Sequence, residues 1–304
     1  MDTFFNMNRR KALKRSSALN SNLTPWLFLL PAILILLFVV VAPTVMTLGL
    51  SLFRWDGLGT PEFIGLQNFN DLFHDEVFYA SLFNNFKWMV YFCTIPIVFG
   101  LVNALFITKT KRMQRFYRTV FFLPYICSTV VTAMIWKWIY DPFFGLNSVL
   151  SNMGIKNLPS WLSDSHIALF SVALTDSWRY VGFVMVLFLT GLSQCDRQLE
   201  EASMIDGANR FQIFVHITIP QLRPTIVLIL MLSMIWSFAA FDYVYVMTSG
   251  GPGHATELLA TYMYKTTIQG QAAGYACSIA VSMLFFTVII IGAFGILKKR
   301  GWDI

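Results

Sequence analysis

Glu201-Ala202-Ser203-Met204-Ile205-Asp206-Gly207, nine further residues, and then Ile217-Thr218-Ile219-Pro220 make a polar, helix-forming stretch between two long apolar runs. Leu199, Ala202, Ile205, Ala208 and Phe211 recur at spacings of three, which predicts one apolar stripe on a helix, with Glu200, Asp206 and Arg210 on its other faces. Gly207 falls inside that pattern, where glycine costs about 1 kcal/mol relative to alanine, so a bend or a close approach is expected there. Pro220 lacks a backbone N–H and is expected to stop the helix before the chain enters the next apolar run.

The flanking runs decide the fold class. The chain of 304 residues is 56% apolar and 12% charged, against roughly 25% charged in an average soluble domain. A hydrocarbon core of about 30 Å takes roughly 20 helical residues. Six stretches reach that length, at about 27–50, 82–108, 119–139, 168–192, 225–247 and 275–297. Backbone groups in lipid have no water to bond, so these runs are expected to be helices. Pro31, Pro43, Pro96 and Pro124 lie in or near them and are expected to kink them. The expected fold is therefore all-α: a polytopic membrane protein with six transmembrane helices over 23–304, a tail over 1–22, and the polar loop at about 193–223.

Lysine and arginine set the orientation. Arg9, Arg10, Lys11, Lys14 and Arg15 precede the first run, and Lys109, Lys111, Arg112, Arg115 and Arg118 follow the second. Arg197, Arg210 and Arg223 follow the fourth, and Lys298, Lys299 and Arg300 follow the sixth. The opposite side holds only Arg54, Lys137, Lys156 and Lys265. The positive-inside rule then predicts that both termini and the polar loop face the cytoplasm. The first apolar run is longer than a signal-peptide core and lacks a good A-x-A site, so it is expected to stay as a helix. The tail is polar and basic and is expected to be disordered or to rest on the anionic inner leaflet.

The spacing of Glu201, Ala202, Gly207, Ile217 and Pro220 resembles the E-A-A, three residues, G, nine residues, I-x-L-P loop of the membrane subunits of ATP-binding-cassette importers. Ser203 replaces the second alanine and Ile219 the leucine. Further stretches are similar to the carbohydrate-uptake branch, in order: Arg54-Trp55-Asp56, Phe63-Ile64-Gly65-Leu66-Gln67-Asn68-Phe69, Arg118 to Pro124, Ile135-Trp136-Lys137-Trp138, Asp141-Pro142, and Phe241-Asp242-Tyr243-Val244-Tyr245 to Gly253. The resemblance runs from about Trp26 to Leu297. It implies a type I importer permease in the plasma membrane of a bacterium or archaeon, paired with a second permease, two ATPase subunits and an external sugar-binding protein. It also implies that Glu200, Glu201, Ala202, Ser203, Asp206, Gly207, Ile217 and Pro220 form the contact with an ATPase. Glu201 would face basic groups there, and Gly207 would make the turn.

The chain contains no G-x-x-x-x-G-K-[ST], the loop that cradles nucleotide phosphates, so ATP and Mg are expected on the partner ATPase subunits and no cofactor on this chain. Cys93, Cys127, Cys195 and Cys277 and the four histidines are scattered, which gives neither a disulfide framework nor a metal set. No basic–aromatic interleaving in a soluble segment suggests nucleic acid. No nucleophile–base constellation suggests an enzyme.

Polar residues inside the runs carry the remaining signal. Asp176 and Arg179 are three apart on the fourth run and can pair on one helix face, as a packing salt bridge or as a polar wall of a path. Trp236, Phe241, Asp242 and Tyr245 on the fifth combine ring faces with a carboxylate, which suits a sugar. Asn84, Asn85 and Asn103 are further candidates. Gly270 to Ser282 is rich in small residues and is expected against another helix. Arg179 has a partner in Asp176, which favours a neutral sugar over a phosphorylated one. The alternatives are an importer of this kind for a non-sugar solute, and an ion-gradient-driven secondary transporter with Asp176 and Asp242 as proton relays. The visible lack of an internal repeat disfavours the latter.

Overall fold

The computed structural model describes residues 25–110 and 112–299. The tail over 1–22, Lys111 and Arg300 lie outside the described residues. Among the described residues, four helices are long and apolar enough to cross a membrane: α1 (Pro25–Leu50), α3 (Glu76–Lys109), α7 (Ala168–Gln194) and α13 (Ala273–Lys299). Two bent pairs raise the number to six if each counts as one span. One pair is α4 (Gln114–Ile126) with α5 (Thr129–Ile139), and the other is α9 (Arg210–Gln221) with α10 (Arg223–Phe238). Shorter helices are α2 (Gln67–Leu72), α6 (Leu146–Asn152), α8 (Arg197–Ile205), α11 (Asp242–Met247) and α12 (Leu259–Ile268). A two-stranded antiparallel ribbon departs from the all-helical expectation, with Phe53 opposite Phe63 and Arg54 opposite Glu62.

Two proline sites show how the chain keeps a helix where a stop or kink was expected. Leu37–Val41 and Phe214–Thr218 are each one turn of π-helix, and each ends two residues before a proline, Pro43 and Pro220. The Ala42 N–H bonds Leu37 O, and the Ile219 N–H bonds Phe214 O. The wider turn takes up the ring that would otherwise press on the preceding turn's carbonyl. Pro220 is thus accommodated in the last turn of α9, which ends one residue later at Gln221, and the chain then bends by 64° into α10.

The expected span over 119–139 is broken. Cys127 and Ser128 are extended, with ψ of 146° and 138°, and α5 leaves α4 at 95°. Pro124 in the last turn of α4 supplies no N–H to the turn before it, which weakens the helix where it ends. The expected span over 225–247 also ends early, at Phe238. Ala239 to Phe241 interrupt it, and Asp242 and Tyr245 stand on the separate α11. Conversely, α3 begins six residues before the apolar run because Asp75 caps it, accepting from Val77 N at 2.8 Å and Phe78 N at 3.3 Å.

The core lies between α3, α7, α10 and α11, around Trp88, Phe92, Tyr180, Val184, Phe188, Ile229 and Val244. Gly182 allows α4 to press on α7, since a Cβ there would stand 2.3 Å from Phe121 O. By contrast, no residue of the apolar window of α1 is buried.

Candidate functional site

The two breaks face one cavity of about 180 Å³. Asp176, Arg179 and Tyr180 reach it from α7, Trp88 and Phe92 from α3, and Thr129 from the start of α5. Trp236 enters from the last turn of α10, and the break itself contributes Ala239, Ala240 and Phe241, followed by Asp242 and Tyr243. Irregular backbone at this depth is tolerated where it lines a cavity.

The charges in the cavity lie close to one another, although Arg179 Nε has no hydrogen-bond partner. Arg179 Nε lies 3.9 Å from Asp176 Oδ1, the i,i+3 pair that the spacing predicts. Arg179 Nη1 donates to Tyr125 O at 3.2 Å, and its guanidinium lies 5.1 Å from the centre of the Tyr125 ring. Asp242 Oδ2 accepts from Thr129 Oγ1 at 3.0 Å. Aromatic rings close the walls: Phe92 stacks on Tyr180 at 4.5 Å, and Trp236 meets Tyr180 edge-on at 5.3 Å. Two carboxylates and one guanidinium among faces of rings can bond hydroxyls and cover the apolar side of a small ring.

Five of the six candidate pathway residues line this cavity: Asp176, Arg179, Trp236, Phe241 and Asp242. Tyr245 does not line it. It stacks on Phe241 at 5.0 Å, because α11 turns it away from the break. Tyr180, Trp88, Phe92 and Thr129 also line the cavity and are not among the residues that the sequence singles out. Tyr180 was within reach, since it follows Asp176 by four residues and so shares its helix face. Thr129 gave no signal, because only the 95° bend brings it to Asp242. Asn84 and Asn85 hold loops: Asn84 Nδ2 donates to His254 O and Glu257 O, and Asn85 bonds Ser237 O and Leu259 N. Asn103 lines a separate groove with Phe99, Val120 and Trp178.

At the other end of the helices, the quoted stretch forms a helix–turn–helix and not one helix. Asp196 caps α8 by accepting from Gln198 N at 2.8 Å. Gly207, at φ +85°, ends it: Ala208 N donates to Ser203 O at 2.9 Å and Gly207 N to Met204 O at 3.2 Å, the paired bonds of a left-handed helix stop. Asn209 and Gln212 then cap α9 reciprocally at 2.9 and 2.8 Å. The expected single stripe is therefore split at Gly207. Its larger members still face outward, with Ile205 87% and Phe211 73% exposed.

The candidate coupling residues divide by environment. Glu201, Ala202 and Asp206 are exposed, as is Pro220. Glu200 turns inward and accepts from Thr218 Oγ1 at 3.2 Å, tying α8 to α9. Ser203 donates to Leu199 O at 2.7 Å, and Ile217 is half-buried. Asp196 N donates to Gln221 Oε1 at 2.7 Å, which joins the start of α8 to the end of α9.

Comparison with known proteins bears on both regions. Residues 96–301 match the family described as binding-protein-dependent transport system inner membrane component. The chain is 37% identical, over 89% of its length and 94% of the relative's, to the probable ABC transporter permease protein YurN of Bacillus subtilis. It is 30% identical to the trehalose/maltose transport system permease protein MalF of Thermococcus litoralis, over 87% of this chain and 89% of that one. A crystal structure of a bacterial ABC transporter that imports the acidic polysaccharide alginate contains a chain of the same fold, with a TM-score of 0.78 and 23% identity, over 95% of this chain and 98% of that one.

Proposed function

Because the chain belongs to the family of inner membrane components of binding-protein-dependent transport systems, we propose that it is the permease subunit of an ATP-driven carbohydrate importer. The excess of lysine and arginine after the second and fourth apolar runs and at the chain's two ends supports a cytoplasmic position for both termini and for the α8–α9 motif, with α10 entering the membrane. The loops around 51–81, 140–167 and 248–274 then lie outside. A second permease completes the path, two ATPase subunits bind ATP and Mg, and an external binding protein delivers the sugar.

The observation that carries this reading is the exposed apolar face of the motif. Ile205 and Phe211 stand in solvent on either side of a glycine stop, next to Glu201. Apolar residues this exposed beside charged ones, on an end that lies in water, mark a partner surface. The motif is continuous with α10, and α10 ends at the cavity. A displacement of α8 and α9 by the ATPase is therefore applied to one of the two breaks, which can hinge. Repeated opening to alternate sides moves the solute.

The cavity favours a neutral sugar. Its guanidinium is already engaged by Asp176 and by Tyr125 O, while Asp242 adds a second carboxylate. A phosphate or a uronate would meet two carboxylates beside the one guanidinium. At about 180 Å³ the cavity lies below the ~300–1,000 Å³ of sites that enclose a larger ligand, so an oligosaccharide needs the breaks to open.

Reconstitution of the whole importer tests the reading. Glu201→Ala and Gly207→Pro should abolish ATP-dependent sugar uptake while the chain still inserts and assembles with the second permease. Normal uptake in both variants overturns the coupling role. Uptake that survives ATP depletion and collapses with an uncoupler would identify a gradient-driven transporter instead.

A further inference from the structure

The geometry points to a second carbohydrate contact outside the cavity, an aromatic shelf of Phe241, Tyr245 and Tyr264 at its mouth. This assignment rests on the carbohydrate reading. Phe241 belongs to both, lining the cavity and touching the other two rings. It stacks on Tyr245 at 5.0 Å with an interplanar angle of 16°. Tyr264 stands edge-on to both, at 5.2 Å from Phe241 and 5.1 Å from Tyr245. Its side chain keeps an open surface, with the residue 36% exposed.

The helix that carries Tyr264 is held from its other face. Tyr262 donates to Asp75 Oδ2, which also accepts from Tyr275 Oη at 2.6 Å. Lys265 Nζ lies 2.6 Å from Glu257 Oε2 and donates to Ser249 O at 2.6 Å. At about 100° per residue, Tyr262 and Lys265 lie about 60° apart on α12, and Tyr264 lies about 160° round the axis from Tyr262. Two carboxylates thus fix one face of α12 and leave Tyr264 on the other, against Phe241. A ring held in place costs little ordering on binding. The shelf presents apolar ring faces, which suit the C–H face of a pyranose. Tyr264 would receive the sugar on its way to the cavity and would select for a ring of that kind.

The test uses the complete importer, with both permeases, the ATPase subunits and the binding protein, in proteoliposomes supplied with labelled maltose, trehalose or arabinose. Tyr264→Ala and Tyr264→Leu should each raise the KM for uptake about five-fold, with basal ATP hydrolysis unchanged, while Tyr264→Phe stays near wild type. Leucine keeps the packing volume without the ring, so a purely structural role would be rescued by leucine and would appear as a lowered unfolding temperature. Wild-type KM in the alanine and leucine variants overturns the shelf, as does a phenylalanine variant as impaired as alanine. A wild-type importer that takes up none of the three sugars overturns the carbohydrate reading and the shelf together. A sugar-transporting complex indifferent to Tyr264 overturns the shelf alone.

Discussion

Thr129 Oγ1 donates to Asp242 Oδ2 at 3.0 Å across 113 residues of chain. Each is the first residue of a helix that restarts after a break, α5 and α11. The two interruptions are therefore bonded to each other at the wall of the cavity, and movement of one is transmitted to the other.

That bond predicts energetic coupling. Thr129→Val and Asp242→Leu, made singly and together, should show a non-additive term of about 1 kcal/mol in unfolding of the detergent-solubilised chain. Thr129→Ser keeps the hydroxyl and should behave as wild type. Strict additivity would mean that the breaks move independently.

Gly207 predicts a graded series. Its φ is +85°, and a Cβ there would meet nothing within 4 Å, so the cost of a side chain is that of the backbone alone. Alanine should lose about 1–2 kcal/mol at this turn, and asparagine less. Coupled uptake should fall in the order glycine, asparagine, alanine. Equal activity in all three would show that the α8–α9 turn does not need this shape.

Glu257 is fully buried and paired with Lys265 at 2.6 Å. Glu257→Leu leaves the lysine without its carboxylate and should cost about 3 kcal/mol, read as a lowered unfolding midpoint. Gly250→Ala should act in the same direction, because its Cβ would come within 2.3 Å of Glu257 Oε2 at a φ of +79°. If neither change moves the midpoint, the pair does not anchor α12.

Asp75 predicts a dependence on acid. Burial works against its charge, but the hydroxyls of Tyr262 and Tyr275 and the amides of Val77 and Phe78 outweigh it and hold the carboxyl below the ordinary range. A carboxyl lowered on folding contributes stability that is fully present above its unfolded pKa, about 3.9. That contribution is lost as the pH falls through the lower folded value. Unfolding midpoints from pH 6 down to pH 2 should therefore drop more steeply in the wild type than in Asp75→Asn below about pH 4. Parallel curves would remove Asp75 from the clamp.

The apolar runs and the motif spacing were legible because they are local. Lipid demands about 20 helical apolar residues wherever a chain crosses it, and a helix brings residues three and four apart onto one face, so Asp176 and Arg179 could be paired from spacing alone. The sequence could also mark Gly207, since a glycine in a helical pattern signals a bend. It could not say that Pro43 would be carried by a π-helical turn while Pro124 would precede a break, because both outcomes depend on what packs around the released backbone groups. Nor could it bring Thr129 to Asp242, Tyr264 to Phe241 or Glu257 to Lys265. By itself the sequence determined a helical membrane chain with a polar motif between two of its apolar runs. The tertiary structure decided where the helices break and which distant side chains meet there, since those contacts depend on bends of 95° and 64° and on the packing of helices far apart in the chain.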